Sequence, residues 1–297
     1  MPNINDNDWE VLLSRIRNGK CTPFLGAGVN DGYLPTGTRL AKTWAEQYDY
    51  PLADCNDLAR VSQFIAVKTG DGMWPKEELL RLFRQGYKEQ DFMSHDNPLA
   101  MLAEMPLPVY ISTNYDDYMR KALLLKGKRP QVELCRWNKL VDKSESALGK
   151  GRFVPTADEP VIFHLHGHED TPASLVLTED DYLDFLVNIS RQKKLLPPRI
   201  EEALTGSSLL FMGYRLADWD FRVLMHGLVS STERALRRIS ISVQLPPELP
   251  DEEREKAQTY LETYFGEMQV RIFWGTAREF AGKLRQLWTE AHSAAAA

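Results

Sequence analysis

Asn114 and Asp116 stand in the run Ile111-Ser112-Thr113-Asn114-Tyr115-Asp116-Asp117, just past a short apolar stretch. An Asn there can place a water or a sugar hydroxyl without adding charge. An Asp can accept from a hydroxyl, or cap the helix that follows, because acids are favoured near helix starts. His164, His166 and His168 alternate in Phe163-His164-Leu165-His166-Gly167-His168-Glu169-Asp170. His166, beside Gly167, has a side chain suited to proton exchange near neutral pH. His164 reads as a hydrogen-bonded core residue and His168 as loop. A metallo-β-lactamase run would carry Asp and His where His168 and Glu169 stand, so no metal is expected.

Two glycine turns complete the set. Gly26-Ala27-Gly28 follows the apolar Thr22-Pro23-Phe24-Leu25. Small residues after a strand let backbone N–H groups approach a pyrophosphate. The full dinucleotide fingerprint would need a glycine at Asp31, so a plain tight turn is the competing reading. Gly213-Tyr214-Arg215-Leu216-Ala217-Asp218-Trp219-Asp220 follows a second apolar run, and Asp218 or Asp220 reads first as a helix cap.

The elements that must position these residues alternate between short apolar runs and helical spacing. Strands are expected at Thr22–Leu25, Val109–Ser112, Val132–Leu134, Val161–Leu165, Ser208–Met212, Ile239–Val243 and Val270–Trp274. Helices are expected at Asp8–Gly19, Leu40–Tyr48, Asp116–Leu125, Glu179–Leu196, Ile200–Leu204, Asp218–Val229, Glu252–Phe265 and Arg278–Ala291. The stretch from 54 to 107 is helical throughout and reads as an insertion between two strands. Asp142–Pro155 is polar and Gly-rich, hence loop. This alternation predicts an α/β fold: a Rossmann-like parallel sheet with helices on both faces, a single domain over 1–293. Ala294–Ala297 reads as an alanine tail outside that domain. In such sheets ligands bind beyond the carboxyl ends of the strands. All four chemistry-bearing turns sit there.

Composition narrows the function classes. The 297 residues are 43% hydrophobic and 26% charged, enough for a core that needs no disulfide or metal. A net charge of −6 argues against general nucleic-acid binding, which requires a cationic face. Cys21, Cys55 and Cys135 are dispersed with no CxxC pair, as in a reducing compartment. The polar, acidic start and the lack of a long apolar run predict a cytoplasmic protein without a membrane span.

Five ordered motifs resemble the sirtuin-like superfamily, and more narrowly its bacterial NAD-cleaving branch. They are Phe24–Asn30 with Leu34-Pro35, Ile111–Asp117, His164–Gly167, Leu177–Leu186 and Leu209–Asp220. The resemblance implies NAD as substrate, hydrolysis of the nicotinamide–ribose bond, and no metal. The family's catalytic Asn and His fall on Asn114 and His166. Its nucleotide-cradling loop falls on Gly26, Ala27 and Gly28, and its second glycine turn on Gly213. Asn30, Thr113, Asp116, Tyr214 and Asp218 are expected, on this resemblance, to complete the nucleotide site. Protein deacylases of the superfamily carry a four-cysteine zinc module, which three scattered cysteines do not build. The resemblance further implies a defence effector that depletes cellular NAD during phage infection. A homo-oligomer and a sensor or activator protein (or a fused sensor domain) are expected with it. Two alternatives stay open: a non-catalytic NAD or ADP-ribose sensing module, and an NAD-dependent deacylase or ADP-ribosyltransferase.

Overall fold

Among the described residues seven short runs form parallel strands, five of them buried at every residue and the two at the sheet edges only in part. The computed structural model describes residues 4–86, 88–141, 146–149, 153–191, 195–214 and 238–296. The strands are β1 (Cys21–Leu25), β2 (Val109–Ser112), β3 (Gln131–Leu134), β4 (Val161–His164), β5 (Ser208–Met212), β6 (Ser240–Gln244) and β7 (Val270–Trp274). They pair in the order β3-β4-β2-β1-β5-β6-β7, every pair parallel. This is a Rossmann-like α/β fold, as the alternation predicts. The sheet grows from β1 one way through β2 and the other way through β5, so the topological switch point lies between β1 and β5.

The described helices are α1 (Asp6–Arg17), α2 (Gly37–Gln47), α3 (Leu58–Thr69), α4 (Trp74–Gly86), α5 (Pro98–Glu104) and α6 (Tyr118–Leu125). They continue with α7 (Glu179–Arg191), α8 (Pro198–Gly206), α9 (Asp251–Gly266) and α10 (Ala277–Ala296). Strand alternation sorts the core into two layers. Leu25, Tyr110, Ile162, Leu210 and Ile241 face α1, α5, α6 and α10. Phe24, Ile111, Phe163, Phe211 and Ile272 face α7, α8 and α9. A third cluster joins α2, α3 and α4 through Trp44, Val61, Ile65 and Leu79, and takes in Leu175 and Leu177 from the segment after β4.

Several boundaries differ from the periodicity. The long helical stretch is three helices, because Asp57 caps α3, Gly70 ends it in the left-handed region, and Asn97 starts α5 with Pro98 behind it. The helix expected to run to Leu196 is described as far as Arg191, residues 192–194 lie outside the described residues, and α8 starts afresh at Pro198. The sixth strand lies one residue later than its apolar centre, with Gln244 inside the ladder. The last helix runs on to Ala296. The helix expected at Asp218–Val229 lies outside the described residues. Among the described residues no helix is long and apolar enough to cross a membrane.

Candidate active site

Register brings the four turns together. Leu25 pairs with Ser112 and with Met212, and Ser112 pairs with His164, so β4, β2, β1 and β5 end at one level. The ladder continues one step past each strand. Thr113 N donates to Leu25 O (3.0 Å), Leu165 N to Ser112 O (2.8 Å) and Gly26 N to Met212 O (2.9 Å). Gly26, Asn114, His166 and Gly213 thus stand just past the ends of four consecutive strands, across the switch point where open α/β sheets bind ligands.

At the β1–β5 crevice the two glycine turns lock into each other. Gly28 N donates to Gly213 O at 3.0 Å. Gly213 has φ +82°, and a Cβ on it would lie 2.4 Å from Val29 N and 2.5 Å from Gly26 O. No other residue fits there. The N–H groups of Gly26 and Gly28 are therefore engaged by β5 and its turn. This leaves Ala27 and Gly28 as the exposed tip of the turn. Tyr214 finishes the crevice. Its ring packs on Phe24 with centroids 5.5 Å apart, and its hydroxyl bonds Thr113 Oγ1 (2.7 Å) and Leu25 O (2.9 Å).

Asn114 is held from three sides. Its Nδ2 donates to Gly26 O (3.1 Å) and its backbone N–H to Ser112 Oγ (3.0 Å), and its carbonyl meets His164 Nδ1 (3.0 Å). The amide is thereby fixed across the β1–β2 boundary. Its Oδ1 takes no hydrogen bond from any described residue, so it is the atom left to orient a polar group.

His166 is buried and its Nε2 has no partner among the described residues. Its ring lies edge-on to Tyr182 (5.4 Å, 83°) and Phe185 (5.1 Å, 81°) on α7. Burial among these rings pushes its pKa down to about 3. At neutral pH the imidazole is therefore uncharged, which corrects the expectation that it titrates there. An unpaired buried ring nitrogen costs stability unless a ligand completes it. His164 is the core histidine expected, also held neutral by burial with its pKa near 3. His168 lies in the loop after β4, as expected, but it is not exposed. It is buried, packs on His164 at 4.5 Å and sits 3.5 Å from Asp117 Oδ1.

Helix α7 is fastened over His166 at its first turn. Lys76 Nζ meets Asp181 Oδ1 at 2.8 Å, with both side chains nearly buried. The other oxygen of Asp181 accepts the N–H groups of Leu177 (3.1 Å) and Thr178 (2.9 Å). Gln63 and Asp180 exchange two hydrogen bonds, 2.8 and 3.1 Å.

Asn30 and Asp116 lie inside the protein. Asn30 Nδ2 donates to Asp116 Oδ2 at 2.7 Å, and Asp116 Oδ1 accepts the N–H of Tyr118 at 3.0 Å. Burial pushes Asp116 up to about 6, with the Glu169 charge adding to the rise. Asp218 lies outside the described residues. Among the described residues no group of three His, Cys, Asp or Glu could hold a metal ion. Sequence reasoning named the α7 motif but assigned no role to Tyr182 or Phe185, although their spacing of three places them on one helix face. Gln90, which donates to Asn30 Oδ1 at 3.0 Å, carries no local signal because its partner is 60 residues away.

Comparison with known proteins agrees with this geometry. Three curated relatives bear the name NAD(+) hydrolase ThsA. The protein from Cytobacillus dafuensis is 25% identical over 224 residues, covering 73% of this chain and 40% of its own length. That from Enterococcus faecium is 24% identical, covering 71% and 41%. That from Bacillus cereus (strain MSX-D12) is 22% identical, covering 77% and 44%. The chain thus spans about two fifths of the length of the curated relatives it matches. The SIR2-like domain matches residues 108–268, more than half of the chain, from just before β2 to just before β7. With the ordered turns on a Rossmann-like sheet, this match places the chain in the SIR2-like family.

Proposed function

We propose that the chain is an NAD glycohydrolase that cleaves the bond between nicotinamide and ribose. The observation that carries the reading is the pairing at adjacent strand tips of an oriented amide with an open Oδ1, on Asn114, and an unpartnered buried imidazole, on His166. The names of the relatives agree with it.

The reaction is NAD⁺ + H₂O → nicotinamide + ADP-ribose + H⁺. The N–C1′ bond breaks, its electron pair neutralises the nicotinamide ring, and C1′ bonds to the water oxygen. Because nicotinamide departs neutral from a cationic ring, no acid is needed to protonate it. The site has instead to stabilise an oxocarbenium-like sugar and present water to C1′. Asn114 Oδ1 accepts a hydrogen bond from that water, and the uncharged His166 binds a ribose hydroxyl through Nε2. A neutral imidazole suits the task, since an imidazolium would repel the developing sugar cation. The exposed Ala27–Gly28 tip faces the pyrophosphate at the β1–β5 crevice.

Incubating the protein with NAD and separating the products by chromatography tests the reading. Nicotinamide and ADP-ribose are expected in equal amounts, and Asn114→Ala and His166→Ala each lower the rate by about 10²-fold or more. Intact NAD with tight binding would instead make the site a sensor. Release that requires an acylated or acceptor protein would make it a transferase.

Depletion of cellular NAD in anti-phage defence, in the cytoplasm and as a homo-oligomer, is the role that accords with this activity. An enzyme that destroys a central cofactor needs restraint, which is the argument for a sensor or activator. Loss of NAD measured with and without a candidate partner tests that part.

A further inference from the structure

Four buried polar side chains from four segments form one line. Asn97 Nδ2 donates to Gln90 Oε1 (3.2 Å), Gln90 Nε2 to Asn30 Oδ1 (3.0 Å), and Asn30 Nδ2 to Asp116 Oδ2 (2.7 Å). Asn97 is the N-cap of α5, Gln90 lies in the α4–α5 connection, Asn30 ends the turn after β1, and Asp116 is at the tip of β2.

The direction of the line is fixed at both ends. The N–H of Ala100 donates to Asn97 Oδ1 at 2.9 Å, so the Asn97 amino group must face Gln90. At the other end Asp116 already accepts the N–H of Tyr118, and an ionised carboxylate only accepts. Turning over any one amide would set two donors or two acceptors against each other. Each link polarises the next, and in a dry interior such a chain strengthens the last bond.

We propose that Gln90 is a positioning residue for NAD cleavage, acting through Asn30 to hold the Asp116 carboxylate and the β2 tip that carries Asn114. The role rests on the hydrolase reading above; the relay itself does not. Gln90 hydrogen-bonds neither Asn114 nor His166, and its effect passes through the backbone two residues from Asn114. The relay works against desolvation, which drives Asp116 toward its neutral form. The titratable groups facing Asp116 are Glu169 and His168, from the segment after β4, and Tyr118 on α6. The α4–α5 connection adds Lys88, whose Nζ points to Gly32 O at 3.4 Å, besides the amide of Gln90. Without the Gln90 donor Asn30 is free to turn, and its bond to Asp116 is no longer held in place.

The test uses the full chain with Gln90→Leu and Gln90→Glu. Glutamate keeps the size and polarity of the site but, ionised, donates nothing to Asn30. Carboxyl ¹³C NMR, with the Asp116 signal identified by its absence in Asp116→Asn, follows the titration without any turnover. An upward shift of the Asp116 midpoint by about half a pH unit or more is expected in both variants, larger for Gln90→Glu. In the pH profile of nicotinamide release, kcat should fall more at pH 6 than at pH 8, with KM for NAD changed less than about twofold. An unchanged midpoint together with a kcat lowered equally at every pH would reduce Gln90 to ordinary packing and overturn the proposal. If Gln90→Leu does not fold, Gln90→Glu decides by the same two readouts. If the unaltered protein releases no nicotinamide, the hydrolase reading fails and with it the catalytic role of Gln90, while the carboxyl titration still judges the relay.

Discussion

His164 Nδ1 lies 3.0 Å from the main-chain oxygen of Asn114, and because a carbonyl only accepts, the ring nitrogen carries the proton. A core histidine at the end of β4 therefore fixes the backbone of the neighbouring tip on β2. His164→Phe keeps a flat ring of similar size but removes this donor and strands a buried carbonyl. It should cost about 1–3 kcal/mol in urea unfolding and lower nicotinamide release about tenfold. Release at the unaltered rate would show that the carbonyl contact does not position the amide.

Gly213 joins the two halves of the sheet at the switch point. Gly213→Ala would combine a positive φ with a Cβ placed 2.4 Å from Val29 N. The turn must open, at a cost of at least about 2 kcal/mol, and the Gly28 to Gly213 bond is lost with it. A lowered Tm together with weakened NAD binding by calorimetry is the expected result.

Stability should fall in mild acid. His164 and His166 are held near 3 in the folded state against an ordinary 6.5, so the unfolded chain takes up protons first. Their contribution is complete above about pH 6.5 and is lost as pH drops toward 3, by about 1.4 kcal/mol per unit for each. Asp116 works oppositely. Its pKa is raised from 3.8 to about 6, so the folded state gains relative stability as pH falls through that window and offsets one histidine. Urea midpoints should therefore decline from pH 6 to pH 4, and His166→Gln should make them nearly flat. A decline of the same slope in His166→Gln would contradict the assignment.

The Lys76–Asp181 pair fastens α7, and α7 supplies the rings that bury His166. Lys76→Met leaves Asp181 with an unpaired oxygen in a nearly dry site, a change that costs about 3 kcal/mol. Proton NMR of the imidazole should then show His166 titrating closer to its ordinary range, because α7 no longer covers it as tightly. An unshifted His166 would show that α7 stays in place without this pair.

Much of the fold was legible because each strand is a short apolar run closed by Gly, Pro or a polar turn, and those boundaries are local. The order in which strands pair is set by helices packing on two faces, and no run of residues displays it. At the site, Asn114, His166 and Gly213 were legible by their place at strand ends. Asn30 and Asp116 are expected at the nucleotide, and what the sequence does not display is that they bond each other in the interior across 86 residues. His168 lies in the loop after β4 that the sequence predicts, and its ring closes on His164. Gly26 and Gly28 suit close approach, and the partner they approach first is the β5 turn. For the Asn30–Asp116 pair and the two glycine turns the deciding partner is distant in the chain.

The proposed hydrolysis requires that water attack the sugar at the joined tips of β2 and β4. Running the reaction in H₂¹⁸O and weighing the products tests it most directly. ADP-ribose should carry one ¹⁸O and nicotinamide none, with no labelled product from Asn114→Ala on the same time scale. Unlabelled ADP-ribose, or NAD returned intact by the folded, unaltered protein, would contradict it.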